Sequence, residues 1–187
     1  MRARAQLLPL WIPEPDIAPG PDLRTYHRIV VNSSAGKDSQ AALDVTVEQA
    51  RAADVLDRLV VAHADLGDNE WPGVPELAAE HAAYYRLRFE IVARRKADGT
   101  VDTILDRVAQ RGLWPDAKRR WCTSDHKRDP RMKLFTRLVA ELRESGAVTD
   151  GPVRMLSVMG MRAAESCERT NAPAFRSEER RVGKECR

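Results

Sequence analysis

Lys37 and Asp38 stand side by side in the stretch NSSAGKDSQAAL, Asn32 to Leu43, directly behind the apolar run Ile29, Val30 and Val31. One turn thus holds a cation, a carboxylate, the hydroxyls of Ser33, Ser34 and Ser39, and the small residues Ala35 and Gly36. Where a strand gives way to a helix, small residues let backbone N–H groups approach a ligand closely. The helix N-terminus adds unsatisfied donors and a partial positive charge. Phosphate is the natural guest. A plain capped turn would also use serine, glycine and aspartate, but it has no need of a lysine at its tightest point.

Two phosphate loops are excluded by position. A Walker A loop, GxxxxGK[ST], would place glycine at Val31 and a hydroxyl residue at Asp38. A dinucleotide fingerprint would need three glycines where only Gly36 is present.

Such a turn works only if strands and helices hold it in place. RIVV (Arg28 to Val31), RLVVAHA (Arg58 to Ala64), RFEIVA (Arg88 to Ala93) and RMLSVMG (Arg154 to Gly160) read as four strands. Helical stripes separate them: Leu43, Val47 and Ala50; Leu77, His81 and Tyr84; Val101, Ile104, Leu105 and Val108; Leu134, Phe135, Leu138, Val139 and Leu142. Asp129 is expected to cap the last helix with Pro130 as its first residue, and Gly146 to stop it. Alternating strands and helices predict an α/β fold, a Rossmann-like parallel sheet with helices on both faces. Ligands of such sheets bind beyond the carboxyl ends of the strands. The residues after strands one, two and four, 33–39, 65–70 and 162–169, fall there.

Ser34, Ala35, Gly36, Lys37, Asp38 and Ser39 resemble the S-x-G-K-D-S signature of the PP-loop proteins, with alanine where many members have a second glycine. HADLGDNEWPG, RRWCTSDHKRDP and GMRAAESCER resemble, in order, three further segments of the phosphoadenosine phosphosulfate (PAPS) reductase family of that superfamily. The four matches run from about Arg28 to Arg169. The resemblance implies an adenine nucleotide alpha-hydrolase-like fold of about five parallel strands. The last strand is then expected beyond Phe175, the native chain being C-terminally truncated.

The resemblance also implies a set of site residues. Ser33 to Ser39 would take the nucleotide's phosphates, with Lys37 and Asp38 catalytic and Asp38 a possible Mg²⁺ ligand. Asp65 either caps the next helix or faces the ribose or a magnesium ion. Of the basic run from Lys118 to Arg131, Arg120 and Lys127 are the preferred contacts to phosphate or sulfate, the alternative being a solvated face. Arg162 and Arg169, seven apart with Glu165 between them, would recognise an anion from one helix face or form a surface ladder. Cys122 reads as a structural thiol, and its spacing to His126 lacks the pairing of zinc motifs.

Two enzymatic readings follow. In the favoured one, ATP is attacked at the α phosphorus and pyrophosphate leaves, with Mg²⁺ assisting. In the other, the full-length protein reduces PAPS or adenylyl sulfate to sulfite, using a thiol and a thioredoxin-like donor. The family's nucleophilic E-C-G-x-H segment is not matched, and an iron–sulfur cluster would need more cysteines than the three present. A third reading is a non-catalytic nucleotide-binding subunit in DNA sulfur modification or sulfate activation.

Three regions are expected: a proline-rich arm over residues 1–27, an incomplete nucleotide-binding domain over 28–175, and a non-native tail over 176–187. RSEERRVGKECR resembles the conceptual translation of a sequencing-library adapter. Its five basic and three acidic residues reduce the chain's formal +3 to about +1, so overall charge gives no argument for nucleic acid. No apolar run reaches membrane-spanning length and no cleavage pattern follows the arm, so a cytoplasmic protein is expected.

Overall fold

Ile29, Val30 and Val31 are each fully buried, which an alternating strand of a one-sided sheet would not allow. They lie in β1 (Arg28–Ser33), the middle of a parallel sheet covered on both faces. The structure, a computed structural model, describes residues 20–116, 118–162 and 167–175. Its strands are β1, β2 (Leu59–Ala64), β3 (Arg88–Val92) and β4 (Met155–Met159), in the order β3-β2-β1-β4. Every pairing is parallel; Val30 lies opposite Val60 on one side and Ser157 on the other. The expected α/β, Rossmann-like sheet is present.

Side chains of β1 alternate between two apolar cores. Ile29 and Val31 pack with Leu43, Val47 and Ala50 of α1 (Lys37–Ala52) and Ala82 of α2 (Val74–Tyr84). Val30 faces the other way, with Val60, Ala62, and Leu134 and Leu138 of α5 (Asp129–Glu144). The packed unit begins before β1, because Leu23 and Tyr26, within the expected arm, are buried in the first core. Residues 1–19 of that arm and the whole 176–187 tail lie outside the described residues. No described helix is long and apolar enough to cross a membrane.

Two helical expectations change. The stripe Leu77, His81, Tyr84 was to face the core, yet Leu77 and Tyr84 are exposed while Ala78 and Ala82 are fully buried. Alanines four apart let α2 lie close to the sheet, and close approach outweighs side-chain hydrophobicity here. Val101 does not belong to α3 (Ile104–Arg111) but bridges Arg95 in a short loop. A capping box sets the start instead: Thr103 Oγ1 accepts from the Asp106 N–H, and Asp106 accepts from the Thr103 N–H.

Asp129 is also not an N-cap. Helical backbone runs through α4 (Trp121–Thr123) and a π-helical turn (Ser124–Arg128) directly into α5. The Asp129 N–H donates to the Ser124 carbonyl, so the wide turn brings the chain to Pro130 without a break. Gly146, at φ 72°, ends α5 as expected.

Candidate functional site

From β1 the chain moves outward to β2 and β3, then crosses back to place β4 on the other side of β1. α1 covers one face and α5 the other, and the strand order reverses between β1 and β4. Such a reversal of strand order is where ligands of open α/β sheets bind.

The turn from β1 to α1 forms one wall. Ser39, buried, holds it together: its Oγ donates to the Gly36 carbonyl at 2.8 Å and accepts the Ser34 N–H at 3.2 Å. Ser33 Oγ accepts the Ala35 N–H at 3.1 Å. Ser33 and Ser39 are therefore engaged inside the turn, whereas Ser34, Gly36 and Lys37 are exposed. The first N–H groups of α1 have no intrahelical partners and point out of its N-terminus. An unexpected feature lies at Ala35, whose φ of 56° is left-handed, while Gly36 has an extended φ of −78°. For a residue with a Cβ that conformation costs about 1–2 kcal/mol, strain concentrated at the tip of the turn.

β4 supplies the buttress. A Cβ on Gly160 would stand 2.2 Å from the Asp38 carbonyl oxygen and 2.8 Å from the Ser39 nitrogen. Two residues on, Arg162 pairs its Nε with Asp38 Oδ2 at 2.9 Å, the arginine side chain being 66% exposed. Arg162 and the turn are thus brought together. Residues 163–166, including Glu165, lie outside the described residues, so the shared helix face with Arg169 is not described; Arg169 itself sits in α6 (Cys167–Thr170).

The opposite wall carries a member of the basic run other than the preferred Arg120 and Lys127. Arg131, on the first turn of α5, donates from Nη1 to Asn32 Oδ1 at 3.2 Å and lies 3.4 Å from Met159 Sδ. Asn32 in turn donates to Ser157 Oγ and the Val158 carbonyl, tying β1 to β4. Burial, with Arg128 nearby, pushes the Arg131 pKa below the ordinary guanidinium value. Its Nε is buried without a partner, and no carboxylate of the described residues pairs with it. Arg131 belongs to the basic run, but only its depth over β1 and β4 separates it from its neighbours. Arg120 and Lys127, the preferred pair, are exposed on α4's N-terminal side and on the π-helical turn.

Asp65 caps no helix, the N-cap of α2 being Gly73; its Oδ1 accepts the Gly67 N–H at 2.8 Å, closing the turn after β2. Behind it, buried His63 contacts the Ser33 carbonyl through Nδ1 and Glu70 Oε2 through Nε2, each at 3.0 Å. The loop after β2 is thereby fastened to the end of β1. Among the described residues, no group of three or more His, Cys, Asp or Glu is placed to hold a metal. Asp38 offers one carboxylate, the share needed by a Mg²⁺ bound mainly through phosphates and water. Cys122 is a half-buried free thiol.

A second polar cluster lies under the π-helical turn. Asp125 accepts from Arg107 and Arg111, Asp102 accepts from Arg94, and His126 is 1% exposed with Nε2 unpartnered. Burial lowers the His126 pKa from its usual 6.5, Arg94 and Arg107 opposing the charge that Asp102 and Asp125 favour. The unfolded chain binds this proton more readily, so its contribution to stability is complete above about pH 6.5 and is lost as pH falls through the depressed value. Urea unfolding at pH 7.5 and 5.5 should show a loss of stability that is smaller in His126→Gln.

Comparison of the chain with protein-family models, curated proteins and solved structures finds no match.

Proposed function

We propose that the chain is a PP-loop protein similar to the PAPS reductase family, which binds ATP in the crevice between β1 and β4 and cleaves it at the α phosphate. The observation that carries this reading is convergence: the exposed Lys37 turn, Arg162 from beyond β4 and the unpaired Arg131 from α5 meet at one end of the sheet. Three cations around a helix N-terminus at a strand-order reversal suit a polyphosphate far better than a neutral ligand. The β and γ phosphates would lie on the amides of the turn. An acceptor nucleophile attacks the α phosphorus, the bond to the bridging oxygen breaks, and pyrophosphate leaves. Lys37 and the N-terminal amides of α1 stabilise the charge that develops on that leaving group. Magnesium, bound to the phosphates and Asp38, would neutralise the same charge.

Arg131 gives the sharpest test. A half-buried guanidinium with no carboxylate partner and a buried, orphaned Nε adds little stability to the free protein. Arg131→Met should therefore leave the melting temperature unchanged or raised, while weakening Mg-ATP binding by about ten-fold or more in calorimetry. Equal affinity in the variant would remove Arg131 from the site. Failure of the parent to bind Mg-ATP, or to release pyrophosphate with any acceptor while binding PAPS, would overturn the ATP reading.

A further inference from the structure

Charge along this chain is local. Residues 111–131 carry seven lysines and arginines against three aspartates, a net +4, whereas the whole chain is only +3. Two of the four tryptophans, Trp114 and Trp121, lie in the same stretch.

The stretch folds around an open groove of about 630 Å³ lined by Arg111, Leu113, Arg119, Arg120, Trp121 and Ser124. Arg111 lies 5.1 Å over the Trp121 ring and is held there by Asp125 at 3.1 Å. The Trp121 indole is buried, and its Nε1 has no acceptor among the described residues. Asp116 steadies the Arg119 guanidinium, whose side chain is 61% exposed. Trp114, the residue after the groove-lining Leu113, exposes 60% of its surface. The stretch holds fewer aspartates than cations, and an exposed indole stands among them in sequence.

Guanidinium groups along a groove with an aromatic face at its rim are the parts that hold an unpaired nucleotide strand: cations follow the phosphates and bases stack on the ring. A duplex hides its base faces from such a ring. We propose that this groove and its Trp114 rim bind single-stranded nucleic acid, phosphates against Lys118, Arg119 and Arg120 and bases stacked on Trp114. The surface shares no residue with the Lys37 turn and does not depend on what that turn binds.

The test is fluorescence anisotropy of labelled oligo(dT) and oligo(rU), each 20 nucleotides long, titrated with the full chain. Both strands should bind, more tightly than a duplex of equal length. With three phosphates neutralised, affinity should fall roughly twenty-fold between about 50 and 200 mM salt. Trp114→Ala should weaken binding about ten-fold at an unchanged melting temperature. Lys118→Glu should weaken it and flatten the salt slope. Lys37→Ala should leave it unaltered, which separates this surface from the nucleotide crevice. No binding, equal or tighter binding to the duplex, or an unchanged affinity in Trp114→Ala would each overturn the proposal.

Discussion

Gly160→Ala is expected to damage both the fold and the crevice. Nothing in the backbone angle of Gly160 requires glycine; the reason is space. The added methyl would fall 2.2 Å from Asp38 O and 2.5 Å from Asp38 C. Both are backbone atoms in the first turn of α1, so no side chain can swing aside. Either β4 or the helix start must shift by about 1 Å to restore van der Waals contact. Overpacking of this kind costs about 1–3 kcal/mol. In the proposed reaction, a displacement of that size would also cost about 10²-fold in turnover. Gly20→Ala, with nothing within 4 Å, is the control and should behave as the parent. Urea unfolding and ATP calorimetry together check the result; a variant as stable as the parent, with unaltered ATP affinity, would show that β4 does not brace the turn.

Lys37→Ala should separate what Gly160→Ala couples. Lys37 is the first residue of α1 and is exposed, so its side chain contributes little packing. A cation there opposes the helix dipole, and alanine is the better helix former. Stability should therefore stay the same or rise by a few tenths of a kcal/mol. ATP affinity should fall by about 1.5–3 kcal/mol, the worth of a charge-assisted hydrogen bond to phosphate, or roughly 10- to 150-fold. If Lys37→Ala binds ATP as tightly as the parent, the turn is not the phosphate site.

The sheet was legible because its strands are buried on both faces. The apolar runs at residues 29–31 and 59–61 have no competing reading, and the expected strand limits lie within two residues of those observed. α2 was misread because its core contacts are alanines, which carry little weight in an apolar stripe. The π-helical turn was illegible for a different reason: Asp129-Pro130 has the composition of a helix start, and only the tertiary path shows the helix already under way. Of the candidate site, Lys37, Asp38 and Arg162 could be named from residue type and order, and the structure brings Arg162 against Asp38. The left-handed angle fell on Ala35 and not on Gly36, since alanine carries no local sign of such a conformation. Arg131 and Gly160 owe their importance to distance across the sheet, and linear spacing does not encode it.

The contact between β1 and β4 also fixes a birth order. Asn32 and Val158, which that contact joins, are 126 residues apart. At about 5–20 residues per second, a ribosome delivers β4 roughly 6–25 s after β1. During that interval the nascent chain can already hold β1, β2 and β3 together, since those pairings are nearer in sequence. The Lys37 turn then exists without Gly160 behind it, without Arg162 beside Asp38, and with one edge of β1 open to any passing strand. If the turn binds nucleotide as proposed, that affinity would appear only once the fourth strand has arrived.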